Sequence, residues 1–515
     1  MPGCLSSGGM SDSVHTTIQS GVLRGAREGA GLVFRRIPFA APPTGDLRLR
    51  PPAPPAPWTG EREAVAPGPA PPQIADPLSE TLGLDFPGPI SEDCLHLNVW
   101  TPGTQGRRPV LVWIHGGAFA TGSGTSPAYS GARIAERGDV VVVTLNYRVG
   151  ALGFLPIGSE GGDGRANLGL LDQIAALEWV KREISRFGGD PDRVTVFGES
   201  AGAGSIVALL AMPAARGLFG RAIIQSPAPD GILTLAEGRE RAQMLARHLG
   251  DETPAKAPLA RLLEAQQACI AAGPHRTGMF FAPVVDGETL PIRPLDAIAQ
   301  GEAADVEILI GTAEEEMQLY ATIPGMGDFP DEILQKVVAS RLPGDEAERD
   351  ALAARAVSRY REELGAPSQR ELFFALETDL SLRLPSTRLA ESHAAVQPGT
   401  WMYLFQWRSP MSDGHGGTLG ACHALDLPFT FGALESDSAR RFATGDDPER
   451  QRLARTLSDR MIDAWTSFAR DGDPRHPGLG DWRPYEPKKR WTQLLGEECR
   501  CVEAPLERRR RVWEG

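Results

Sequence analysis

The chain is expected to be an α/β protein built on a mostly parallel sheet, and three observations lead there. Short β-branched runs recur between helical stretches, several of these runs are apolar throughout instead of alternating, and an amphipathic helix joins two of them. The runs fall at residues 110–114, 140–145, 194–197, 222–225, 306–310 and 401–405. Continuous apolarity suits a strand covered by helices on both faces. Between the second and third runs, Leu170, Ile174, Leu177, Val180, Ile184 and Phe187 recur at helical spacing, while Asp172, Glu178, Lys181 and Arg182 lie off that stripe. Gly188-Gly189-Asp190-Pro191 ends the helix, so a βαβ unit with parallel strands is expected.

The rest of the chain decorates this sheet. Residues 51–72 are rich in proline and read as irregular surface chain. Residues from about 230–300 and 320–395 are rich in Ala, Glu, Arg and Leu at helical spacing, and read as helical insertions that shape a substrate pocket. With no internal repeat and no detaching linker, residues 1–515 are expected to form a single enlarged domain, with about residues 1–15 as a disordered extension.

Composition excludes several classes of function. Hydrophobic residues at 41% and charged residues at 23% are those of a globular protein with a large core. A net charge of -13 disfavours nucleic acid and anionic membrane surfaces as partners. The Arg508-Arg509-Arg510-Arg511 run is the local exception and reads as a solvated tail. Six scattered cysteines, Cys4, Cys94, Cys269, Cys422, Cys499 and Cys501, make neither a disulfide framework nor a metal site. No leader-like or membrane-spanning apolar run occurs, so a cytoplasmic protein is expected; it is taken as a monomer or small homo-oligomer, a choice that the sequence itself does not make.

Two glycine-rich motifs carry the chemistry. Gly198-Glu199-Ser200-Ala201-Gly202 follows the run at 194–197 and opens a helical stretch from 203, so Ser200 sits on a strand-to-helix turn. The flanking glycines permit a sharp bend that pushes Oγ out at the carboxyl end of the sheet, where helix N–H groups favour negative charge. That is the placement of a nucleophile; a serine at a helix start can also be a simple N-cap. Ser226, at the end of the next strand, lacks the glycine pair and reads as structural. His115-Gly116-Gly117-Ala118-Phe119 follows the run at 110–114. Its small residues let backbone N–H groups reach a carbonyl oxygen, so Gly117, Ala118 and Ala201 are the candidate oxyanion donors.

A serine hydroxyl needs a base, and an imidazole base needs a carboxylate to fix its tautomer. Of the histidines after Ser200, His423 lies in a loop before an apolar stretch, whereas His415 lies in a Gly-rich surface turn; His423 is the better candidate. Such a base sets activity falling in acid with a pKa near ~7. The acid lies in Gly311-Thr312-Ala313-Glu314-Glu315-Glu316, at a strand's carboxyl end. Chemistry alone does not choose among the three glutamates; the two that are not the acid are expected to be solvated.

Taken together, the motifs resemble the type B carboxylesterases, the group of cholinesterases and bacterial para-nitrobenzyl esterases. The resemblance runs from about residue 20 to the C-terminal region, through Ser91-Glu-Asp-Cys-Leu-His-Leu-Asn-Val-Trp100, Trp113-Ile-His-Gly-Gly-Ala-Phe119, Asn167-Leu-Gly-Leu-Leu-Asp-Gln173, Phe197-Gly-Glu-Ser-Ala-Gly202 and His423-Ala-Leu-Asp-Leu-Pro-Phe429. It implies an α/β-hydrolase fold, a serine esterase working on small-molecule esters through an acyl-enzyme, and no cofactor or metal. It selects Glu316 as the acid and His423 as the base, and it makes Glu199 a supporting carboxylate. Carbamate or amide hydrolysis with the same triad is the alternative. Cys94 has no cysteine partner where disulfide-bearing relatives carry one, so it is expected to be free. No tryptophan occurs in residues 71–94, which argues against a choline-ester specialist.

Overall fold

The apolar runs become the middle of one large twisted sheet. A computed structural model describes residues 13–74, 77–157, 165–272, 279–323 and 325–513. Among the described residues, thirteen strands form the main sheet. Its N-terminal edge is antiparallel, from Val14–Ile18 through Gly21–Glu28, Gly31–Pro38 and His96–Thr101 to Val141–Leu145. From Val141–Leu145 the order continues in parallel through Arg108–Ile114, Gly189–Glu199, Arg221–Gln225, Glu307–Ala313, Thr400–Phe405 and Trp491–Leu495. Arg500–Glu503 closes the far edge antiparallel.

Each expected run is found, with one or both ends shifted by one to five residues: 140–145 is trimmed to Val141–Leu145, and 194–197 grows to Gly189–Glu199. The crossover helix spans Leu168–Glu183 and ends in a 3₁₀ turn, Ile184–Phe187. It connects two parallel strands as expected, but they are not neighbours: Arg108–Ile114 lies between them and pairs with both. Three expectations are corrected. Val14 and His15 belong to a strand paired with Gly25 and Arg24, because the backbone ladder of Gly21–Glu28 is open to them; residues 1–12 lie outside the described residues. The proline-rich stretch contains the short strand Glu61–Glu63, which pairs with residues 22–24 at a point where proline is absent. The helix after Ser200 starts at Ala201 instead of 203.

Side-chain alternation sorts the core into two layers. In Arg108–Ile114, Val110, Val112 and Ile114 enter one apolar cluster with Val196, Ile224 and Ile308. Leu111 and Trp113 enter the other with Phe197, Ile223 and Tyr403. Successive residues of a strand point to opposite faces, so a continuous apolar run supplies both layers at once. The helices Leu235–Leu249 and Leu259–Ala271 pack onto the first layer. Asp331–Arg341, Glu346–Leu364 and Gln369–Thr378 instead gather a third, separate cluster around Leu334, Val357, Tyr360 and Leu372. No helix among the described residues is long and apolar enough to cross a membrane.

Candidate active site

Four chain segments reach the carboxyl ends of the parallel strands, where open α/β sheets place their ligands. Ser200 follows Gly189–Glu199 directly and has φ 55° and ψ -122°. A non-glycine residue held there stores roughly 1–3 kcal/mol of backbone strain, so the surroundings must enforce it. They do so from both sides: the Ser200 N–H donates to Gln225 O at 3.0 Å, and Ser200 O accepts from Gly204 N–H at 2.8 Å. Gly202 is needed because a Cβ there would lie 2.0 Å from Ile114 O. Ser200 occupies the N-cap position, yet its side chain makes no capping hydrogen bond. The hydroxyl is left for other work.

The His115–Phe119 loop packs against this turn. A Cβ on Gly116 would stand 3.0 Å from Glu199 O and 3.2 Å from Ser200 Cβ, which measures how close the two segments are. Gly117 has φ 111°, a conformation that favours glycine, and Ala118 and Phe119 follow at 52° and 58°. Gly117 O accepts from Ala120 and Thr121, and Phe119 O accepts from Gly150 at 2.6 Å, so the loop is pinned by its carbonyls. The N–H groups of Gly117, Ala118 and Ala201 donate to no acceptor among the described residues. His115 braces the loop from below: its ring stacks on Tyr147 at 4.3 Å, Nδ1 faces Gly116 O at 2.9 Å, and burial brings its pKa down to about 4.

The third and fourth segments meet each other. Glu316 opens a 3₁₀ turn just beyond Glu307–Ala313, and His423 lies in the loop after the Ser409–Ser412 and Thr418–Gly420 hairpin. Glu316 Oε2 stands 2.7 Å from His423 Nδ1, Oε1 accepts the Ala313 N–H at 2.7 Å, and the His423 N–H donates to Glu316 O at 3.0 Å. Glu316 is wholly buried. Of the three consecutive glutamates, Glu316 is the one in contact with the imidazole. Glu314 and Glu315 are half-buried, not solvated. Glu314 accepts from Gln406 at 3.2 Å, while Glu315 pairs with Arg408 at 2.7 Å and accepts the Ala421 N–H at 2.8 Å. The hairpin that delivers His423 folds back over the strand end and gives these carboxylates partners.

The other imidazole nitrogen, Nε2, lies 3.0 Å from Glu199 Oε1, in an ion-pair contact whose orientation makes no hydrogen bond. No hydrogen bond joins Ser200 Oγ to His423 among the described residues. Catalytic hydrogen bonds without substrate are often long or poorly aligned and tighten in the complex. Burial pushes the Glu199 carboxyl up to about 8, against the opposing charge of His423. Burial alone would lower the His423 pKa, but the Glu199 charge and the Glu316 hydrogen bond outweigh it and raise the imidazole above its ordinary range. Two residues that sequence reasoning passed over sit beneath this group. Asp426 is buried, bonded to Gln225 Nε2 at 2.7 Å, and pushed up to about 6 by burial. Its signal was a lone acid inside the apolar run Ala424-Leu425-Asp426-Leu427.

Ser226 is buried with no hydrogen-bond partner for its hydroxyl. His415 is exposed in the hairpin turn. Cys94 is a free, buried thiol. A cleft of about 370 Å³ is walled by Leu82, Leu84, Ala128, Ala424 and Leu427, with Asp85 and Glu435 also in its lining. No group of His, Cys, Asp and Glu suited to a metal ion occurs among the described residues.

A parallel sheet with a strained serine turn after one central strand, and a small-residue loop after its neighbour, defines the α/β-hydrolase class. Within that class, residues 11–513 match the carboxylesterase family, to which the chain belongs; it is a carboxylic ester hydrolase. It is 38% identical to the para-nitrobenzyl esterase of Bacillus subtilis (strain 168) over 501 residues, covering 96% of this chain and 97% of the relative. It is likewise 38% identical to phenmedipham hydrolase of Pseudarthrobacter oxydans over 510 residues, with the same coverage. Among solved structures, a thermophilic para-nitrobenzyl esterase superposes with a TM-score of 0.85 at 36% identity, covering 97% of this chain and 99% of its own.

Proposed function

We propose that the chain hydrolyses small carboxylic esters through an acyl-enzyme on Ser200, with His423 as base and Glu316 as its orienter. The observation that carries this reading is the 2.7 Å contact between Glu316 and His423 Nδ1, in a buried loop beside the uncapped Ser200 turn. Nδ1–H held on the carboxylate leaves Nε2 to accept the serine proton. The Ser200 alkoxide then attacks the ester carbonyl, and the N–H groups of Gly117, Ala118 and Ala201 receive the oxyanion. The imidazolium gives its proton to the leaving alcohol, and water attacks the acyl-enzyme by the same route in reverse.

Glu199 stands against Nε2 and stabilises the imidazolium. The largely apolar cleft that reaches Ala424, next in sequence to His423, suits an uncharged alcohol or acyl group. The kinship with phenmedipham hydrolase favours carbamates as the second substrate class.

An organophosphonate gives the direct test. Mass spectrometry of the inactivated protein should find one label, on Ser200, and Ser200→Ala should lose about 10⁶-fold in kcat while remaining folded. A label on another residue, or an active Ser200→Ala variant, overturns the assignment.

A further inference from the structure

The turn that carries Glu316 is held from a direction that the reaction does not require. On one side it leans on the sheet and on the His423 loop, as described above. On the other, the Met317 N–H donates to Thr378 Oγ1 at 3.0 Å, and Arg383 Nη2 donates to Glu314 O. These two grips bracket Glu316, and both come from a single stretch of helix.

Thr378 closes the helix Gln369–Thr378, and Arg383 ends the π-helical turn Asp379–Arg383 that leads into Leu384–Ala394. Five residues apart on a regular α-helix, the two side chains would point about 140° away from each other. One turn widened to i→i+5 bonding brings them to the same face. Pro385 gives the physical cause, since it has no N–H for the preceding turn and its ring crowds the carbonyl four residues back.

The Arg383 side chain is itself locked. It is 8% exposed and ion-paired to Asp379, which is 1% exposed. Asp379 accepts from the Tyr360 hydroxyl, which accepts in turn from Trp513 Nε1 at 2.8 Å. A buried ion pair is a weak source of stability, because desolvating both charges offsets their attraction. Such a pair is well suited to fixing one geometry instead.

We propose that Arg383 is a positioning residue for ester hydrolysis: with Thr378 it fixes the Glu316 turn, and the Asp379–Tyr360–Trp513 chain fixes Arg383. The proposal rests on Glu316 acting as the orienter of His423. It makes the C-terminal segment and the π turn part of the catalytic apparatus, although neither reaches the reacting atoms.

The test uses the full-length enzyme on a short-chain p-nitrophenyl ester. Arg383→Met should lower kcat about 10- to 100-fold with KM within about threefold, since sub-ångström misplacement of a catalytic group is costly. Thr378→Val, which is nearly isosteric and keeps the fold if Arg383→Met does not, should lose about threefold to tenfold. Arg383→Lys should recover part of the loss by keeping the charge beside Asp379. Loosening Glu316 also removes support from the imidazolium, so the acid limb of the pH profile should move to lower pH, with Glu199 and Asp426 still facing His423.

A double-mutant cycle separates this role from general stability: in a Glu316→Gln background, Arg383→Met should add almost nothing. Folded Arg383→Met and Thr378→Val enzymes with wild-type kcat overturn the proposal, and so does an equal loss in both backgrounds. If Glu316→Gln alone keeps wild-type activity, it is the reading of Glu316 that has failed.

Discussion

The two halves of the site are built in different ways. The Ser200 half is made of backbone: a residue at φ 55°, a glycine that lets Ile114 O approach, and a loop packed against it whose Gly117 and Ala118 N–H groups have no acceptor among the described residues. Each piece is contiguous in sequence and directly follows its own strand. The His423 half is made of side chains, and its central contact joins residues 107 positions apart. Strand ends and glycines specify the first half locally. The second depends on a hairpin, a 3₁₀ turn and a π turn all arriving in register, so it should be the half more easily disturbed by remote changes.

Removing the imidazole tests that contrast most severely. His423→Ala should cost about 10⁶-fold in kcat, and Glu316→Gln on the order of 10³ to 10⁴, with KM little changed in either, because the orienter holds a tautomer and not the substrate. Steady-state kinetics on one ester settles both. If Glu316→Gln loses less than tenfold, the side-chain half does not work as a unit.

The pH profile sharpens the same comparison, since only the His423 half titrates. Imidazolium cannot accept the serine proton, so activity falls below the His423 pKa. That pKa is raised to about 9 as Glu199 and Glu316 outweigh burial, which places the acid limb above the value near ~7 expected of an ordinary imidazole. Glu199→Gln removes one of those carboxylates and should move the limb toward lower pH. A limb unchanged in that variant would show that the 3.0 Å contact has no electrostatic consequence for the base.

The smallest effect is expected from the neighbours of Glu316. Glu315→Gln weakens the hold on the Ala421 N–H, two residues before His423, and on Arg408, so a loss of about tenfold in kcat is expected. Glu314→Gln, with one long contact to Gln406, should stay within about threefold. Reversed magnitudes would mean that the hairpin does not hold His423 through Glu315.

Much of this arrangement was legible in the residues themselves. The six runs are strands because continuous β-branched apolar sequence has few other places to be buried, and the glycines around Ser200 and His115 permit tight bends and close backbone approaches that a Cβ would block. The choice among Glu314, Glu315 and Glu316 was not legible from chemistry, since three identical side chains carry identical propensities; resemblance to a family pointed to Glu316. Their partners were invisible for a further reason. Arg408, Gln406 and Ala421 belong to a strand end and hairpin nearly a hundred residues downstream, and nothing local marks them as neighbours of the glutamates.

The sequence by itself determined the class of fold, the strand-end position of Ser200 and the small-residue loop beside it, because these follow from periodicity and from the bends that glycine permits. Only the tertiary structure decided which nitrogen of His423 faces which carboxylate. It also decided that Glu199 touches the imidazole directly, that Asp426 and Gln225 lie beneath it, and that Thr378 and Arg383 meet the Glu316 turn. Those relations depend on the order of strands across the sheet and on one widened helical turn, and long-range packing sets both.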